Sequence, residues 1–291
     1  MGSSYLASPI KRHRRTKAAI GELKATIYDI LRAGQPMTVR QVFYQLTVEH
    51  AIEKTEAEYN GSVVRLLTQM RREGMVPYSW ISDNTRWIRK PTTYSGIEHA
   101  LNSTAHFCRR NLWIEAPVYV EVWCESDSIA GVLIEETDRY NVPLMVSRGF
   151  SSDTYLYNAA QDIETQYRPA YLYFVGDWDP SGKIIPEKIE AGLRQHAPGC
   201  EITFQRLLVT PDQIAEWHLP TKPVKKTTHA KGFTGGTVES EAIPAATTRR
   251  IVRESIEQHL DMSEVAVMRE AEQSEAALLH NIAEQIEAKQ L

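Results

Sequence analysis

Carboxylates follow two of the buried strands that the sequence predicts, at the point where each strand ends. The stretch VEVWCESD brings Glu125 after an apolar run, and YFVGDWDPSG brings Asp177 and Asp179 after another. Neighbouring parallel strands would place these ends at one edge of a sheet, where three carboxylates repel one another unless they are protonated or bind a cation. Hard oxygen ligands favour Mg²⁺ or Mn²⁺. The pattern therefore predicts a divalent-metal site formed by Glu125, Asp177 and Asp179.

Two other interpretations of the GDWDPSGK stretch are weaker. Aspartate is common in turns and at helix N-termini, and Pro-Ser-Gly is ordinary turn chemistry. A phosphate-binding P-loop needs four residues between its glycines, with Ser or Thr after the Lys. Here five residues separate Gly176 from Gly182, and Ile184 follows Lys183. The spacing and the metal-binding hydroxyl of a P-loop are therefore both missing.

The elements that must position these carboxylates form an α/β pattern beyond residue 115. Predicted strands lie in APVYVEVWC, VPLMVSRG, AYLYFVG and EITFQRLLV, and predicted helices lie in DSIAGVLIEETDRY, SSDTYLYNAAQDIETQY and SGKIIPEKIEAGLRQHA. This alternation is typical of a mainly parallel sheet with helices on both faces. Residues 220–245 lack periodicity and predict a long loop. Residues 247–291 predict one or two acidic amphipathic helices.

The first part of the chain predicts a winged helix-turn-helix domain. Helices are expected over residues 16–33, from an N-cap at Thr38 to about residue 50, and over residues 58–73. The stretch MVPYSWISDNTRWIRKP then predicts a two-stranded wing with a turn at Asp83 and Asn84. The cations expected to contact DNA phosphates are Arg65, Arg71, Arg72, Arg86, Arg89 and Lys90. The alternative is a small helical domain with a hairpin and no role in nucleic-acid binding.

The charge of the chain divides along its length. Residues 1–110 hold 17 Lys and Arg against 9 Asp and Glu, whereas the remainder holds 16 against 28, within a net charge of −4. A basic first part favours a polyanionic partner, and an acidic remainder suits divalent cations or a solvated helical surface. The charge distribution agrees with DNA binding by the first part.

Cysteine use and hydropathy limit the class of protein. Cys108, Cys124 and Cys200 stand far apart without any C-x-x-C pair, so neither a disulfide framework nor a zinc knuckle is predicted. No stretch approaches the roughly 20 apolar residues that a membrane span needs. We therefore expect a soluble protein of the reducing cytoplasm with no membrane partner.

A family resemblance now rests on these residues. A lone Glu after one α/β strand, followed by D-x-D-P-x-G after another, resembles the Toprim domain of topoisomerases, primases and some nucleases. The resemblance implies that Glu125, Asp177 and Asp179 are ligands of Mg²⁺ or Mn²⁺.

The first part of the chain extends this resemblance. The segment VRQVFYQL, residues 39–46, is similar to the R-D-x-[FY]-Y segment that carries the nucleophilic tyrosine in the A subunit of topoisomerase VI and its meiotic double-strand-break relatives. In that family a winged-helix (CAP-like) domain precedes the Toprim domain. The similarity implies Tyr44 as the nucleophile and Arg40 as its partner, although Gln41 stands where the family often has Asp.

The chemistry of this pair is physically reasonable. Positions 40 and 44 lie one turn apart on a helix face. A phenol with a pKa near 10 needs help to attack a phosphodiester, and a nearby guanidinium stabilises both the phenolate and the phosphate. We therefore expect Mg²⁺-dependent transesterification of duplex DNA, leaving a tyrosyl-phosphate bond and a free hydroxyl. The alternatives are a Toprim-type nuclease that uses water, and a DNA-binding module with a vestigial site, in which Tyr44 only packs in the core.

The predicted organisation is a winged-helix domain over residues 1–110, a Toprim domain over 111–260 and a C-terminal amphipathic helix over 261–291. The resemblance implies a homodimer in which each tyrosine meets the other chain's metal. No ATP-binding motif is visible, so strand passage would need a separate ATPase subunit. The residues weighed without a firm role are Ser126, Asp127, Arg148, Ser151, Ser152, Lys222, Lys225, Lys226, Lys231, Glu239 and Glu241, the last two lying in a segment similar to one near the end of such Toprim domains.

Overall fold

Helices form the first part of the chain. The computed structural model describes residues 15–81, 92–224 and 233–290. The first elements are α1 (Lys17–Gly34), α2 (Val39–Val48), α3 (Glu56–Glu58), a π-helical segment (Tyr59–Val64), α4 (Arg65–Arg72), a 3₁₀ turn (Tyr78–Trp80) and α5 (Ile97–Phe107). The hydroxyl of Thr16 caps α1, and Thr38 forms a reciprocal capping box with Gln41 at the start of α2. The first two predicted helices are confirmed.

The third predicted helix forms as one helical path that changes from α to π and back. Its last residue is Arg72, and Gly74 follows with a φ of 72°, in the left-handed region that glycine adopts without strain. The predicted first strand of the wing is wrong over residues 78–80, because Pro77 fixes its own φ and a 3₁₀ turn follows it. Ile81 makes one parallel bridge to Met37. The predicted turn and second strand, with Arg86, Arg89 and Lys90, lie outside the described residues.

A four-stranded parallel sheet forms the centre of the second part. The strands are β1 (Tyr119–Cys124), β2 (Leu144–Val146), β3 (Ala170–Val175) and β4 (Ile202–Leu208). Their order is β2-β1-β3-β4, and each adjacent pair is parallel. The predicted α/β class with a parallel sheet is confirmed.

The strand order reverses between β1 and β3. The chain passes from β1 to β2 on one side and then to β3 on the other, while the register runs from Tyr119 opposite Ala170 to Cys124 opposite Val175. In open α/β sheets such a reversal leaves a crevice at the carboxyl ends of the two strands, where ligands bind. Glu125 directly follows β1, and Asp177 follows β3 by two residues, so both belong to this crevice.

Helices pack around the sheet and continue beyond it. They are α6 (Asp127–Arg139), α7 (Asp153–Glu164), α8 (Pro180–His196), α9 (Pro211–Glu216), α10 (Ala245–Glu257) and α11 (Met262–Gln290). Pro186 removes one backbone donor from α8 but does not end it. In the predicted long loop, a bridge joins Lys222 to Thr237 and a 3₁₀ turn covers Ser240–Ala242. The predicted C-terminal helical region, expected as one or two helices, is present as the two helices α10 and α11.

The core lies on both faces of the sheet. Trp123 and Phe174 face a cluster with α7 and α8, whereas Val122 and Val175 face a larger cluster that reaches into the N-terminal helices. Arg249 on α10 donates hydrogen bonds to the carbonyl oxygens of the α1–α2 turn, residues 34–36. The helical part and the sheet therefore share one core, and the domain boundary at residue 110 stays a prediction. No helix in the described ranges combines the length and apolar character that crossing a membrane requires.

Candidate active site

The ends of β1 and β3 bring two of the predicted ligands together. The N–H of Glu125 donates to the carbonyl of Val175 at 3.2 Å, which extends the β1–β3 ladder by one residue. The N–H of Asp177 then donates to Oε2 of Glu125, also at 3.2 Å. Backbone pairing between the central strands therefore sets the position of the Glu125 carboxylate beside Asp177.

A distant segment completes this group of carboxylates. Oδ1 of Asp177 accepts hydrogen bonds from the N–H and the hydroxyl of Ser240, each at 2.8 Å. The next residue, Glu241, is 6% exposed, and its Oε1 accepts a 2.6 Å hydrogen bond from the hydroxyl of Ser128. We call Glu125, Asp177, Asp179 and Glu241 the carboxylate edge.

The carboxylate edge carries strong mutual repulsion. Burial raises the pKa of Asp177 well above its usual range, and the carboxylates of Glu241 and Glu125 raise it further. Burial also raises the pKa of Glu125, against the hydrogen bond from the N–H of Asp177. Buried like charges of this kind favour either a bound proton or a bound cation. An all-oxygen donor set matches Mg²⁺ or Mn²⁺.

Asp179 has a local structural role. Its Oδ1 accepts a 2.6 Å hydrogen bond from the N–H of Gly182 and so caps α8. A Cβ atom on Gly182 would lie 2.2 Å from the carbonyl oxygen of Asp177, so this turn requires glycine. The turn interpretation of the D-x-D-P-x-G motif is therefore confirmed for Asp179. Its role as a metal ligand stays a prediction.

The side chains of the carboxylate edge are not arranged around a metal position in this structure. Across residues 15–81, 92–224 and 233–290, no group of three or more His, Cys, Asp or Glu side chains is arranged to hold a metal ion. Glu125 and Asp177 each use one carboxylate oxygen in the hydrogen bonds above, and Asp179 is turned toward α8. The donor chemistry fits a divalent cation, and side-chain rotation would have to bring the oxygens around it.

Arg206 is a component of the site that the sequence analysis missed. Its guanidinium donates to the carbonyl oxygens of Gly176 at 3.1 Å and Asp177 at 3.3 Å, and also to that of Gly182. Burial lowers its pKa, while the nearby carboxylates of Glu125, Asp177 and Asp179 act to raise it. Arg206 thus fixes the turn that carries the aspartates. The only signal in the sequence was a cation within the otherwise apolar end of the β4 stretch, EITFQRLLV.

Tyr44 lies in a second group of residues, beside the carboxylate edge. Its side chain is 0% exposed on α2, and the ammonium groups of Lys54 and Lys222 lie 5.1 and 5.4 Å from the centre of its ring. The predicted partner Arg40 places its guanidinium 3.2 Å from Oε2 of Glu239, whose Oε1 accepts a 2.6 Å hydrogen bond from Lys222. We call Arg40, Tyr44, Lys54, Lys222 and Glu239 the tyrosine pocket.

The environment keeps the Tyr44 phenol protonated. Burial raises its pKa far above the usual range, the Glu239 carboxylate raises it further, and Arg40 opposes them. The hydroxyl has no hydrogen bond of normal geometry in the described part of the chain, although Glu239 is close enough to affect its pKa. A phosphate could reach this hydroxyl only after neighbouring side chains move.

Consecutive residues join the two groups. Glu239 pairs with Arg40 in the tyrosine pocket, and the next residue, Ser240, holds Asp177 at the carboxylate edge. The following residue, Glu241, influences the pKa of both Arg40 and Asp177. The segment 239–241 therefore brings the predicted nucleophile and the predicted metal ligands into one site. In the sequence, Glu239 and Glu241 stand out without any pattern that indicates a role.

One of the three predicted DNA contacts on α4 lines a large groove. Arg65 lines a groove of about 1480 Å³, together with Arg15, His50, Lys54 and His218. The guanidinium of Arg71 stacks 5.3 Å from the Tyr78 ring, and Arg72 is exposed. Basic and polar groups along such a groove are typical of nucleic-acid surfaces.

The weaker candidates have local partners. Arg148 pairs with Asp127 at 3.0 Å, while Ser126 and Ser152 cap α6 and α7. The hydroxyl of Ser151 is buried without a hydrogen bond in the described part of the chain. Lys225, Lys226 and Lys231 lie outside the described residues.

No protein-family model matches this sequence, and no curated protein shows significant similarity to it.

Proposed function

We propose that this protein cleaves duplex DNA by metal-dependent transesterification, with Tyr44 as the nucleophile. The observation that carries the proposal is the segment 239–241, because it contacts Arg40 through Glu239 and Asp177 through Ser240. Two groups of residues that are far apart in sequence thus supply a phenol, a guanidinium and several carboxylates to one place. Phosphoryl transfer through a tyrosine needs these groups together. The Toprim and winged-helix assignments are part of this proposal.

The residues of the chain have separable roles in the reaction. The Tyr44 oxygen attacks the phosphorus while the bond from phosphorus to the leaving sugar oxygen breaks. The phenol proton passes to the nearby Glu239 carboxylate, and solvent supplies the proton that completes the free sugar hydroxyl. Arg40 stabilises the phenolate and the phosphate charge. The product is a tyrosyl phosphodiester, in which the energy of the broken bond is conserved.

Glu125, Asp177 and Glu241 would hold the divalent cation, and Asp179 would join them if its carboxylate turned from the start of α8. When bound, Mg²⁺ or Mn²⁺ would neutralise charge on the phosphate and leaving oxygens. Arg206 holds the carbonyl oxygens of the turn that carries the aspartates, so it acts as a positioning residue.

The burial of Tyr44 supports a second candidate function. A phenol that is fully buried and has a strongly raised pKa is a poor nucleophile until its surroundings open. The carboxylate edge does not need this phenol if water attacks the phosphate. A metal-dependent hydrolytic nuclease is therefore the alternative, and a DNA-binding module with a vestigial site is the third.

The partners follow from the same proposal. Duplex DNA would contact the groove beside α4, and the resemblance to topoisomerase VI implies a homodimer. In that family the tyrosine meets the other chain's metal, whereas here the segment 239–241 contacts Arg40, one helical turn from Tyr44, and Asp177 within the same chain. Strand passage would require a separate ATPase subunit.

A covalent-adduct assay tests this function. Duplex DNA is incubated with the protein and Mg²⁺, and the mixture is denatured before electrophoresis of labelled DNA. We expect protein-linked DNA from the wild type and from Tyr28→Phe, a control in another helix of the same part. We expect none from Tyr44→Phe. Full cleavage by Tyr44→Phe without an adduct would instead support the hydrolytic nuclease.

A further inference from the structure

The tyrosine pocket contains more positive than negative charge. Lys54 and Lys222 lie over the ring of Tyr44, and Glu239 is the carboxylate that pairs with both Lys222 and Arg40. Glu56 lies farther from Arg40, at 3.8 Å, and is largely exposed. Lys54 donates a 2.6 Å hydrogen bond to the carbonyl oxygen of Pro220, which leaves its charge without a paired carboxylate among the described contacts.

The ammonium group of Lys222 is close enough to act on that of Lys54. Burial and, to a smaller extent, the positive charge of Lys222 lower the pKa of Lys54 to about 8, while the Glu239 carboxylate acts to raise it. Two ammonium groups that approach one ring from separate segments repel each other unless an anion lies between them. Both side chains are half-buried. Lys54 lines the large groove, as does Pro220, two residues before Lys222, so an anion in that groove can reach Lys54.

We infer that Arg40, Lys54 and Lys222 form a seat for one backbone phosphate of nucleic acid, and that Glu239 occupies this seat when no phosphate is bound. The carboxylate of Glu239 spans Lys222 at 2.6 Å and Arg40 at 3.2 Å, as two phosphate oxygens would. Entry of a phosphate breaks these two contacts and frees the carboxylate beside Tyr44. This inference rests on the proposed function, because it names the group that the phenol would attack.

DNA binding without cleavage tests the seat. A fluorescently labelled duplex is titrated with protein in EDTA at several NaCl concentrations. Loss of one phosphate contact makes the negative slope of the logarithm of the association constant against the logarithm of the salt concentration shallower by about 0.9. We expect Lys54→Met and Lys222→Met each to show this loss, whereas Lys54→Arg and Lys222→Arg keep the wild-type slope. Lys188→Met is the matched control, because Lys188 is an exposed residue of α8 that also stacks on a ring, that of Phe150, at 4.6 Å.

Glu239→Gln should change DNA affinity in the opposite direction from the two Lys→Met variants. Removing the competing carboxylate should tighten DNA binding by about tenfold, since close charge pairs contribute more than 1 kcal/mol. A purely structural ion pair would show weaker or unchanged DNA binding in this variant. Circular dichroism and thermal melting establish that each variant is folded before its binding is compared.

The outcomes separate the seat from the proposed function. Wild-type slopes in both Lys→Met variants, weaker or unchanged binding by Glu239→Gln, or no duplex binding by the wild type would each overturn the seat. If the slopes change as expected but the wild type forms no adduct with Mg²⁺, the seat stands and tyrosine chemistry is contradicted. If an adduct forms while the slopes stay unchanged, only the seat is contradicted.

Discussion

The carboxylate edge and the tyrosine pocket are assembled in different ways. The edge consists largely of residues that directly follow β1 and β3, so the regular pairing of parallel strands brings them together. The pocket draws on α2, on Lys54 after it, and on Lys222 and Glu239, which meet only through tertiary packing. Residues that follow parallel strands are therefore brought together by the strand pairing itself. Residues of a pocket between a helix and a loop come together only in the complete fold.

The two regions also differ in charge. The carboxylate edge gathers buried acidic groups, and the tyrosine pocket gathers three cations around Glu239. An acidic site that suits a metal beside a basic site that suits a phosphate has the polarity that phosphoryl transfer requires. The comparison predicts that damage to the edge abolishes chemistry, whereas damage to the cations of the pocket mainly changes how well DNA is held.

Asp177→Asn should have the largest effect on this comparison. The variant keeps the shape of the side chain and removes the charge that repels Glu125 and Glu241. We expect DNA cleavage to fall about 10³-fold, because several kcal/mol of metal-dependent stabilisation are lost. Gel assays of cleavage over a range of Mg²⁺ measure this, with exposed Asp29→Asn as the control. Wild-type cleavage by Asp177→Asn contradicts the role of the edge.

Glu121 sharpens the comparison, because it is a buried carboxylate on β1 that lies away from the edge. The hydroxyl of Tyr119 and the indole N–H of Trp123 donate to it at 2.8 and 2.7 Å. Burial is the main cause that raises its pKa to about 7 from an ordinary value of 4.5, against those two hydrogen bonds. The unfolded chain ionises Glu121 near pH 4.5 and the folded protein near pH 7, so stability is lost as the pH rises between these values.

Glu121→Gln removes this ionisation. We expect the free energy of unfolding of the wild type, measured in urea, to fall by about 3 kcal/mol between pH 4.5 and 7 because Glu121 ionises. The variant should lack this decrease. Exposed Glu201→Gln is the control and should follow the wild type. If the free energy of unfolding of Glu121→Gln fell with pH as much as that of the wild type, Glu121 would not be the buried, uncharged group proposed here.

Gly182→Ala tests the backbone of the carboxylate edge. A methyl group 2.2 Å from the carbonyl oxygen of Asp177 must displace the turn that α8 and Arg206 hold. We expect a loss of about 1 to 3 kcal/mol in the free energy of unfolding, as for other overpacked sites. Gly199→Ala, where nothing lies within 4 Å of the added atom, is the matched control. Equal stability of the two variants would show that the turn is not constrained.

Arg40→Lys should have the smallest effect of these variants. The lysine keeps the charge but loses the planar group that contacts Glu239 and stacks 4.6 Å from the ring of Tyr59. We expect adduct formation to slow about tenfold, the equivalent of 1.4 kcal/mol, with little change in stability. Single-turnover rates measure it. If Arg40→Lys lowered the rate as much as Asp177→Asn does, the two regions would not have the separate roles described here.

The sequence predicted the parts of this molecule that follow local rules. Thr38 and Gly74 marked helix ends, and the apolar runs before Glu125 and Asp177 marked strands whose parallel pairing the fold confirms. The short β2 and the helices α6 and α8 also lie where periodicity placed them. These features depend on neighbours in the chain, which a single sequence contains.

Long-range contacts explain what the sequence did not predict. The Arg206 contacts form only when β4 lies beside the β3 turn, and the segment 239–241 gains its role from simultaneous contact with Arg40 and Asp177. Nothing in VFYQL distinguishes a buried tyrosine that packs from one that reacts. The 3₁₀ turn after Pro77 replaced a predicted strand because one proline outweighed the β-forming residues around it.

Iron-directed backbone cleavage tests most directly whether the carboxylate edge and the tyrosine pocket form one site. Fe²⁺ takes the place of Mg²⁺, ascorbate and peroxide generate hydroxyl radicals at the ion, and mass spectrometry maps the cuts. The account predicts cuts near residues 125, 177 and 240, together with cuts in α2 near residue 44, all suppressed by excess Mg²⁺ and absent in Asp177→Asn. Cuts at the strand ends with none in α2, or cuts that persist in excess Mg²⁺, would contradict it.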